Sequence, residues 1–169
     1  ELALIAARPR QGKTLIGLQL LVDSVRAGRR AVFFTLEYTG DQARELLAGI
    51  GAGEDLPELV ATDEIDAAAI QRHLAQAPAG TLAVIDYLQV LDQRRDTPPL
   101  AQQIAALRDF ARERGVTLAF IAQVDRAFDP ARDPLPGLAD LRLPNPVPVE
   151  LFTKACFAHA GATQVQALG

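Results

Sequence analysis

The sequence predicts an α/β fold in which a mainly parallel sheet is covered by helices on both faces. Several short segments are apolar throughout, such as Ala31–Phe34 and Leu82–Ile85, which is typical of strands that are buried on both faces. Segments with apolar residues at helical spacing separate these strands, as crossover helices separate the strands of a parallel sheet. The length of 169 residues is that of one domain. We therefore expect a single domain over residues 1–169.

Two strand–helix units are predicted in the first part of the chain. Gly28 is a natural end for the first helix, and Thr39 and Gln42 have the spacing of a capping box at the start of the second. The predicted elements are a strand over Leu2–Ala6, a helix over Lys13–Ala27, a strand over Ala31–Leu36 and a helix that ends near Leu47.

The second part of the chain predicts two further strands with helices, followed by a different kind of segment. We expect a helix over Asp66–Ala75, a strand over Leu82–Asp86, a helix from Thr97-Pro98 to Gly115 and a strand over Thr117–Ile121. Six prolines then lie between residues 125 and 148, which predicts an irregular loop. The terminal segments Leu151–Ala158 and Thr163–Leu168 predict a β-hairpin at the sheet edge.

Composition and charge exclude several classes of protein. The apolar fraction is 49% and the charged fraction 22%, which is typical of a folded globular chain. No apolar run approaches the roughly 18 residues of a membrane span. A net charge of −4 argues against a protein that coats nucleic acid by electrostatics alone. The single cysteine, Cys156, cannot form an internal disulfide, so we expect a cytoplasmic protein.

The loop after the first strand carries a phosphate-binding pattern. It matches G-x-x-x-x-G-K-[ST], with alanine in place of the first glycine. Such a loop directs backbone N–H groups and a helix N-terminus at a polyphosphate, a lysine at its β- and γ-phosphates, and a hydroxyl at Mg²⁺. The alternative is a chance G-K-T at a helix start. The candidate phosphate-binding residues are Ala7, Arg8, Pro9, Arg10, Gln11, Gly12, Lys13 and Thr14.

Polar side chains at the ends of other predicted strands are candidates for the same site. Asp86 could hold a water of a Mg²⁺ shell, or it could be a turn acid. Glu37 could be the base for an attacking water, or it could be an acid at the start of a helix. Gln123 follows a predicted strand and could hydrogen-bond a γ-phosphate. We assign no role to His73 or His159, and no Cys/His cluster for zinc is present in the sequence.

Together these segments resemble the ATPase domain of DnaB-type replicative helicases, within the RecA-like P-loop superfamily. The resemblance covers roughly residues 1–142 and implies a three-layer RecA-like fold with a mainly parallel sheet and a C-terminal β-hairpin. The motifs that carry it are Ala6-Ala7-Arg8-Pro9 with Gly12-Lys13-Thr14, Leu36-Glu37, Ile85-Asp86-Tyr87-Leu88-Gln89, Gln123 with Arg126, and Asp140-Leu141-Arg142.

The resemblance also implies roles for individual residues, with ATP and Mg²⁺ as cofactors. Lys13 and Thr14 would bind the phosphates and the metal, and Asp86 would hold the metal through water. Glu37 would activate the hydrolytic water, and Gln123 would link the γ-phosphate to a DNA-facing loop. The strand of Gln123 is expected between the phosphate-loop strand and the Asp86 strand, with the Glu37 strand beyond.

The sequence departs from the family where a hexameric ring would complete its sites. Family members reach into a neighbouring site with a Lys-x-Arg pair, but the turn Phe157–Gly161 contains no lysine or arginine. The candidate DNA loops, residues 92–96 and 125–148, mix arginines with aspartates, which favours solvated turns over DNA-binding loops. Three functions remain open: a helicase-related ATPase acting on single-stranded DNA in replication, a regulatory or loader ATPase without unwinding activity, and a nucleotide-binding module with little turnover.

Overall fold

A single sheet forms the centre of the fold. The computed structural model describes residues 1–8, 12–86, 88, 91, 96–142, 149–159 and 162–168. The strands in these ranges are β1 (Leu2–Ala7), β2 (Ala31–Thr35), β3 (Glu58–Ala61), β4 (Leu82–Asp86), β5 (Thr117–Val124), β6 (Leu141–Arg142), β7 (Lys154–His159) and β8 (Ala162–Ala167). The α-helices there are α1 (Lys13–Arg26), α2 (Gly40–Gly49), α3 (Ala67–His73) and α4 (Leu100–Arg114).

The strand order brings the candidate site residues to one edge of the sheet. The order is β3-β2-β4-β5-β1-β7-β8, with β6 beside β5. The β5–β6 and β7–β8 pairs are antiparallel, whereas the other pairs of described strands are parallel. The carboxyl ends of β1, β5, β4 and β2 therefore lie side by side. This confirms the expected RecA-like order and the terminal hairpin.

Apolar layers cover both faces of the sheet. Alternate residues of a strand point to opposite faces, and in β2 Phe33 and Phe34 belong to different buried clusters. The cluster around Phe33 includes Leu18 and Leu21 of α1 and Leu47 of α2. The cluster around Phe34 includes Ile70 of α3, and Ile104 and Leu107 of α4. This arrangement is the predicted three-layer fold.

Helix α1 lies unusually close to the sheet because it carries a glycine at the contact. A Cβ atom at Gly17 would lie 3.0 Å from Cγ1 of Val84 and 3.2 Å from Cδ1 of Ile121. A side chain at this position would push the helix away from β4 and β5. The glycine therefore allows the first turn of α1 to sit directly beside the ends of these strands.

The structure differs from the sequence prediction at two strands. The short edge strand β3 was not predicted, because its half-exposed pattern around Leu59 and Val60 gives little hydrophobic signal. Strand β5 continues to Val124, so Gln123 lies within the strand and does not follow it. Ala122 and Gln123 pair with the last residues of β1, and β6 pairs Gln123 with Arg142 and Val124 with Leu141 on the other side. Such a long-range pairing cannot be deduced from local periodicity.

The start of α4 was also predicted incorrectly. Pro99, and not Thr97, is the N-cap, and the helix begins at Leu100. The predicted start placed Pro98 in the first turn, but a residue that precedes proline is disfavoured in helical conformation. The N–H groups of Gln102 and Gln103 donate to the Pro99 carbonyl instead.

The proline-rich segment and the hairpin also contain more local structure than was expected. Residues 125–142 include β6 and a 3-10 helix at Leu138–Asp140, and a second 3-10 helix at Val149–Leu151 precedes β7. The first hairpin strand therefore begins at Lys154 and not at Leu151. Residues 143–148, and the hairpin residues 160 and 161, lie outside the described ranges.

A buried glutamine joins α4 to the segment that follows β4. Gln103 is 2% exposed. Its Nε2 donates to the carbonyls of Leu91 at 2.6 Å and Pro98 at 2.8 Å, and its Oε1 accepts from the Ala67 N–H at 3.0 Å. One side chain therefore forms hydrogen bonds with three backbone groups and connects the start of α3 to the segment that follows Asp86.

Replacing Gln103 with leucine should destabilise the fold strongly. The Gln103→Leu variant keeps a side chain of similar length but leaves three backbone groups without this partner, so we expect a loss of about 2–4 kcal/mol. Urea unfolding measures it. The matched control is Gln102→Leu, at an exposed position on the same helix, where we expect less than about 0.5 kcal/mol. Equal losses in the two variants would contradict the role assigned to Gln103.

Candidate functional site

The turn between β1 and α1 presents the N-terminus of a helix at the carboxyl edge of the sheet. Gly12 is the N-cap of α1 and has the left-handed conformation φ 78°, ψ 19°, which glycine adopts without strain. No side chain caps this helix, and its first turn has no acidic residue. Its first N–H groups and the helix dipole therefore favour an anion. Ala7 is buried and Arg8 half-buried, whereas Pro9, Arg10 and Gln11 lie outside the described residues.

The first two residues of α1 are buried although both are polar. Lys13 is 9% exposed and Thr14 is 6% exposed. Thr14 Oγ1 donates a hydrogen bond of 2.9 Å to Oδ2 of Asp86, which is the last residue of β4. This bond joins the start of α1 to the end of β4, which lies two strands away from β1 in the sheet.

Asp86 is a buried acid with one unused oxygen. It is fully buried, and its Oδ1 has no hydrogen-bond partner. Burial raises the pKa of Asp86 to about 6; the Thr14 hydrogen bond opposes this rise, Glu37 adds to it, and Lys13 opposes it. An unpartnered buried carboxylate oxygen is unfavourable by itself. Together with the Thr14 hydroxyl, it is an oxygen donor of the kind that Mg²⁺ prefers.

A tight turn places Glu37 beside this acid. Thr35 pairs with Asp86 in the sheet, and its Oγ1 accepts the N–H groups of Glu37 at 3.1 Å and Tyr38 at 3.2 Å. The predicted capping box of Thr39 and Gln42 is present and begins α2. Glu37 is exposed and lines a cavity of about 380 Å³ at the ends of β2 and β3. The backbone of this turn is therefore fixed, while the Glu37 carboxylate is open to solvent.

Gln123 lies on the other side of Asp86, next to the end of β1. It is half-buried and pairs with Ala7, the last residue of β1. The structure thus brings Lys13, Thr14 and Asp86 into direct proximity, with Glu37 at one side and Gln123 at the other. All five were predicted from the sequence.

Tyr38 belongs to the same group of side chains and was not predicted. Its side chain is half-buried and lines the same cavity as Glu37. Burial raises the pKa of Tyr38, the Thr14 side chain opposes this rise, and the charges of Glu37 and Asp86 add to it. The only sequence signal was its place directly after Glu37, in a turn between a strand and a capping box.

The hairpin of β7 and β8 contributes little positive charge to the carboxyl edge of the sheet. His159 ends β7 next to Ala158, which pairs with Ala7, and the His159 ring packs edge-to-face on Phe128 at 5.8 Å. Lys154 lies at the opposite end of β7 and forms an ion pair with Glu1 at 2.8 Å. In the described part of the hairpin, neither lysine nor arginine reaches the carboxyl edge.

Other predicted features are only partly described. Arg126 and Arg142 line a cavity of about 340 Å³ with Asp125, at the end of β5. Of the first candidate DNA loop, residues 92–95 lie outside the described ranges. Among the residues with described positions, no cluster of three His, Cys, Asp or Glu could hold a metal ion, and no helix is long and apolar enough to cross a membrane.

Replacing Asp86 with asparagine should stabilise the metal-free protein at neutral and alkaline pH. Because the folded-state pKa is raised, the native protein binds the proton more tightly than the unfolded chain, and stability falls as pH rises from about 4 to 6. Asp86→Asn should therefore gain about 1–3 kcal/mol at pH 8, and this gain should disappear near pH 4. Urea unfolding in EDTA measures it.

The control for this variant is Asp63→Asn, which changes an exposed carboxylate that lines the cavity beside Glu37. It should alter the stability by less than about 0.5 kcal/mol at either pH. A pH-independent effect of Asp86→Asn would show that loss of the buried charge is not its cause.

Comparison with known families gives one clear match. A sequence profile of the family described as "DnaB-like helicase C terminal domain" matches residues 54–145, which is more than half of the chain. No curated protein sequence is similar enough to the chain to count as a match.

Several solved structures share the fold. One is described as "The Structure Of A DnaB-Like Replicative Helicase And Its Interactions With Primase", with a TM-score of 0.73 and 21% identity over 92% of this chain and 46% of that one. The ATPase domain of G40P has a TM-score of 0.68 and 19% identity over 92% of this chain and 68% of that one.

A third similar structure is the KaiC-like protein PH0186 from the hyperthermophilic archaeon Pyrococcus horikoshii OT3. Its TM-score is 0.66 and its identity 18%, over 92% of this chain and 69% of that one. At these identities the likeness is one of fold. The chain spans less than half the length of the replicative helicase that it matches.

Proposed function

The chain belongs to the DnaB-like helicase C terminal domain family, and on this premise we propose that it binds Mg-ATP and hydrolyses it by attack of water on the γ-phosphate. One observation carries the proposal. The Thr14 hydroxyl is hydrogen-bonded to Asp86, and the second oxygen of Asp86 is buried without a partner. A hydroxyl and a carboxylate held in this way beside a helix N-terminus form a site for a metal–polyphosphate complex.

We assign phosphate binding to the start of α1. The N–H groups that follow Gly12 face the anion, and the Lys13 ammonium, which is buried beside them, neutralises charge on the β- and γ-phosphates. Ala7 and Arg8, with the loop residues Pro9, Arg10 and Gln11, complete the proposed phosphate-binding segment. The left-handed conformation of Gly12 allows the backbone to turn into the helix at this point.

Thr14 and Asp86 would hold the magnesium ion, Thr14 through its hydroxyl and Asp86 through a water molecule. When bound, the ion would supply positive charge to the phosphate oxygens. Lys13 and the ion together would offset the raised pKa of Asp86, since cations nearby favour its ionised form. The unfavourable burial of this carboxylate in the empty protein is thereby relieved by the ligand.

Glu37 is the proposed base for hydrolysis. Its exposed carboxylate stands next to the site on a turn that Thr35 fixes. A water oxygen forms a bond to the γ-phosphorus, the bond from that phosphorus to the β–γ bridging oxygen breaks, and Glu37 accepts the water's proton. The products are ADP and inorganic phosphate. We assign to Gln123, next to Ala7 in the sheet, the role of hydrogen-bonding the γ-phosphate and responding to its loss.

A regulatory or loader ATPase is the second candidate, and the charge of the hairpin favours it. The described hairpin offers no lysine or arginine at the carboxyl edge, so a neighbouring copy in a ring would have no cation there to place in an adjacent site. Such a cation raises the rate of related phosphoryl transfers by about 10³-fold or more. A chain without it would suit a nucleotide-dependent switch better than a fast motor.

Single-stranded DNA and light scattering separate these two candidates. A helicase-related motor should form a homo-oligomeric ring, bind DNA in a salt-sensitive manner, and hydrolyse ATP faster when DNA is present. A switch should hydrolyse ATP slowly and at the same rate with and without DNA. Nucleotide binding without turnover would leave only a binding module.

Replacing Lys13 with alanine should weaken nucleotide binding strongly. Lys13→Ala removes the buried cation at the phosphates, and we expect ATP affinity to fall at least about 100-fold in calorimetry, because charge-assisted hydrogen bonds to phosphate are strong. Lys154→Ala is the matched control. Lys154 is the other lysine of the sequence and is ion-paired with Glu1 at the far end of β7. Equal affinities of the two variants would contradict the phosphate-binding role of Lys13.

Replacing Glu37 with glutamine should separate binding from turnover. Glu37→Gln keeps the shape of the side chain but cannot accept the proton of water, so the hydrolysis rate should fall by about 10²–10⁴-fold. ATP affinity should remain within about twofold. The control is Glu45→Gln on the exposed surface of α2, which should leave both unchanged. An unaltered rate in Glu37→Gln would exclude Glu37 as the base.

A further inference from the structure

We propose that Thr35 is a positioning residue for Glu37, the proposed base. Its hydroxyl oxygen closes the turn that carries Glu37, and so fixes where the Glu37 carboxylate stands relative to Asp86. The inference rests on the proposed function, because it concerns the same hydrolysis step. It assigns a role in that step to a residue outside the phosphate-binding segment and the metal-binding pair.

The turn begins where the strand pairing of β2 stops. The registers of β2 with β3 and with β4 both end at Thr35. Beyond it, the N–H groups of Glu37 and Tyr38 donate to Oγ1 of Thr35 at 3.1 Å and 3.2 Å. One hydroxyl oxygen can accept both because it has two lone pairs. The Thr35 side chain thus supplies the acceptor that backbone N–H groups leaving a sheet need.

The residues on either side of Glu37 are anchored in the fold. Leu36 packs against the apolar cluster that α3 and α4 cover, and Tyr38 packs against the cluster that α1 and α2 cover. Thr39 then begins α2, with both capping-box hydrogen bonds present. Glu37 itself is exposed. The turn is therefore held at both ends, while the carboxylate that it carries remains open to the cavity.

Thr35 also connects this turn to the buried acid. It is 1% exposed and pairs with Asp86 across β2 and β4. Two residues earlier, the pair Phe33 and Val84 faces the α1 layer, so Thr35 and Asp86 face the same layer by alternation. The Thr14 hydroxyl at the start of α1 bonds Asp86 on that face. A turn closed on the Thr35 side chain therefore keeps a constant place relative to the metal-binding side chains.

The electrostatics of the site agree with this placement. Burial raises the pKa of Asp86, and the charge of the Glu37 carboxylate adds to the rise, so the two carboxylates lie close to each other. Thr35 and Glu37 line one cavity of about 380 Å³. A base must come within about 2.6–3.2 Å of the water oxygen whose proton it accepts. The position of the Glu37 backbone therefore matters for the rate of hydrolysis.

Single-turnover hydrolysis of ATP in Mg²⁺ tests the proposal. Thr35→Val keeps the shape of the side chain and replaces the accepting oxygen with a methyl group. We expect the rate to fall by about 10- to 100-fold, since a misplacement of about 1 Å can cost about 10²-fold. ADP affinity in calorimetry should stay within about twofold, because the phosphate-binding segment is unchanged.

Two further variants separate the oxygen of Thr35 from its methyl group. Thr35→Ser retains the oxygen, whereas Thr35→Ala loses both groups. The rate should follow the oxygen, so that Thr35→Ser stays within about threefold of the wild type and Thr35→Ala is about as slow as Thr35→Val. Urea unfolding reports the stability of each variant. The serine and alanine variants keep the test decisive if valine at this buried position prevents folding.

The matched control is Thr62→Val, in the turn that follows β3. Oγ1 of Thr62 accepts the N–H of Glu64 at 3.3 Å, which is a hydrogen bond of the same kind, and Thr62 lines the same cavity as Thr35. Its turn does not carry the proposed base. Thr62→Val should therefore hydrolyse ATP at a rate within about twofold of the wild type.

A double-mutant cycle shows whether Thr35 acts through Glu37. In a Glu37→Gln background, Thr35→Val should change the remaining rate by less than about twofold. An equal loss of rate in both backgrounds, a wild-type rate without the Thr35 oxygen, or an equal loss of ADP affinity would overturn the proposal and leave the proposed function intact. So would a Thr35→Ser protein as slow as Thr35→Ala. A wild type that hydrolyses no ATP would overturn the proposed function, and this inference with it.

Discussion

The hydrogen bond between Thr14 and Asp86 is the contact on which the rest of the site depends. It joins the first turn of α1 to the end of β4 and so sets the distance between the start of this helix and the buried acid. Two features of the fold make it possible. Gly17 allows α1 to lie directly on β4 and β5, and the parallel order of the strands places their carboxyl ends side by side.

The site lowers the stability of the protein when no ligand is bound, and packing elsewhere in the fold compensates for this loss. A fully buried carboxylate with one unpartnered oxygen and a pKa raised to about 6 works against folding when no cation is present. The apolar layers on both faces of the sheet offset this cost. Unpaired buried charge of this kind is common where a ligand is to be bound, because the ligand then supplies the missing interaction.

Much of this arrangement could be predicted from the sequence, because its signals are local. The apolar runs predicted β1 and β4 to within a residue, and Thr39 with Gln42 predicted the start of α2. Lys13, Thr14, Asp86, Glu37 and Gln123 were proposed as site residues because each stands at or near the end of a recognisable element. Their expected order across the sheet came from the resemblance to a known family and is that of the structure.

The features that were not predicted depend on contacts between distant segments. Strand β3 is held at the sheet edge by pairing with β2, and the last residues of β5 pair with β1 and with the distant strand β6. The Gln103 side chain joins the start of α3 to the segment beyond β4. No periodicity within either segment contains that information.

The buried amide of Gln103 has a consequence for how the chain could vary. Its Nε2 donates to the carbonyls of both Leu91 and Pro98, which brings the two ends of the intervening segment together. The entropy cost of closing such a loop grows only logarithmically, by about 0.6 kcal/mol for each doubling of its length. Insertions between these two residues should therefore be tolerated without disturbing Asp86, and this segment can change its length and chemistry while the site stays constant.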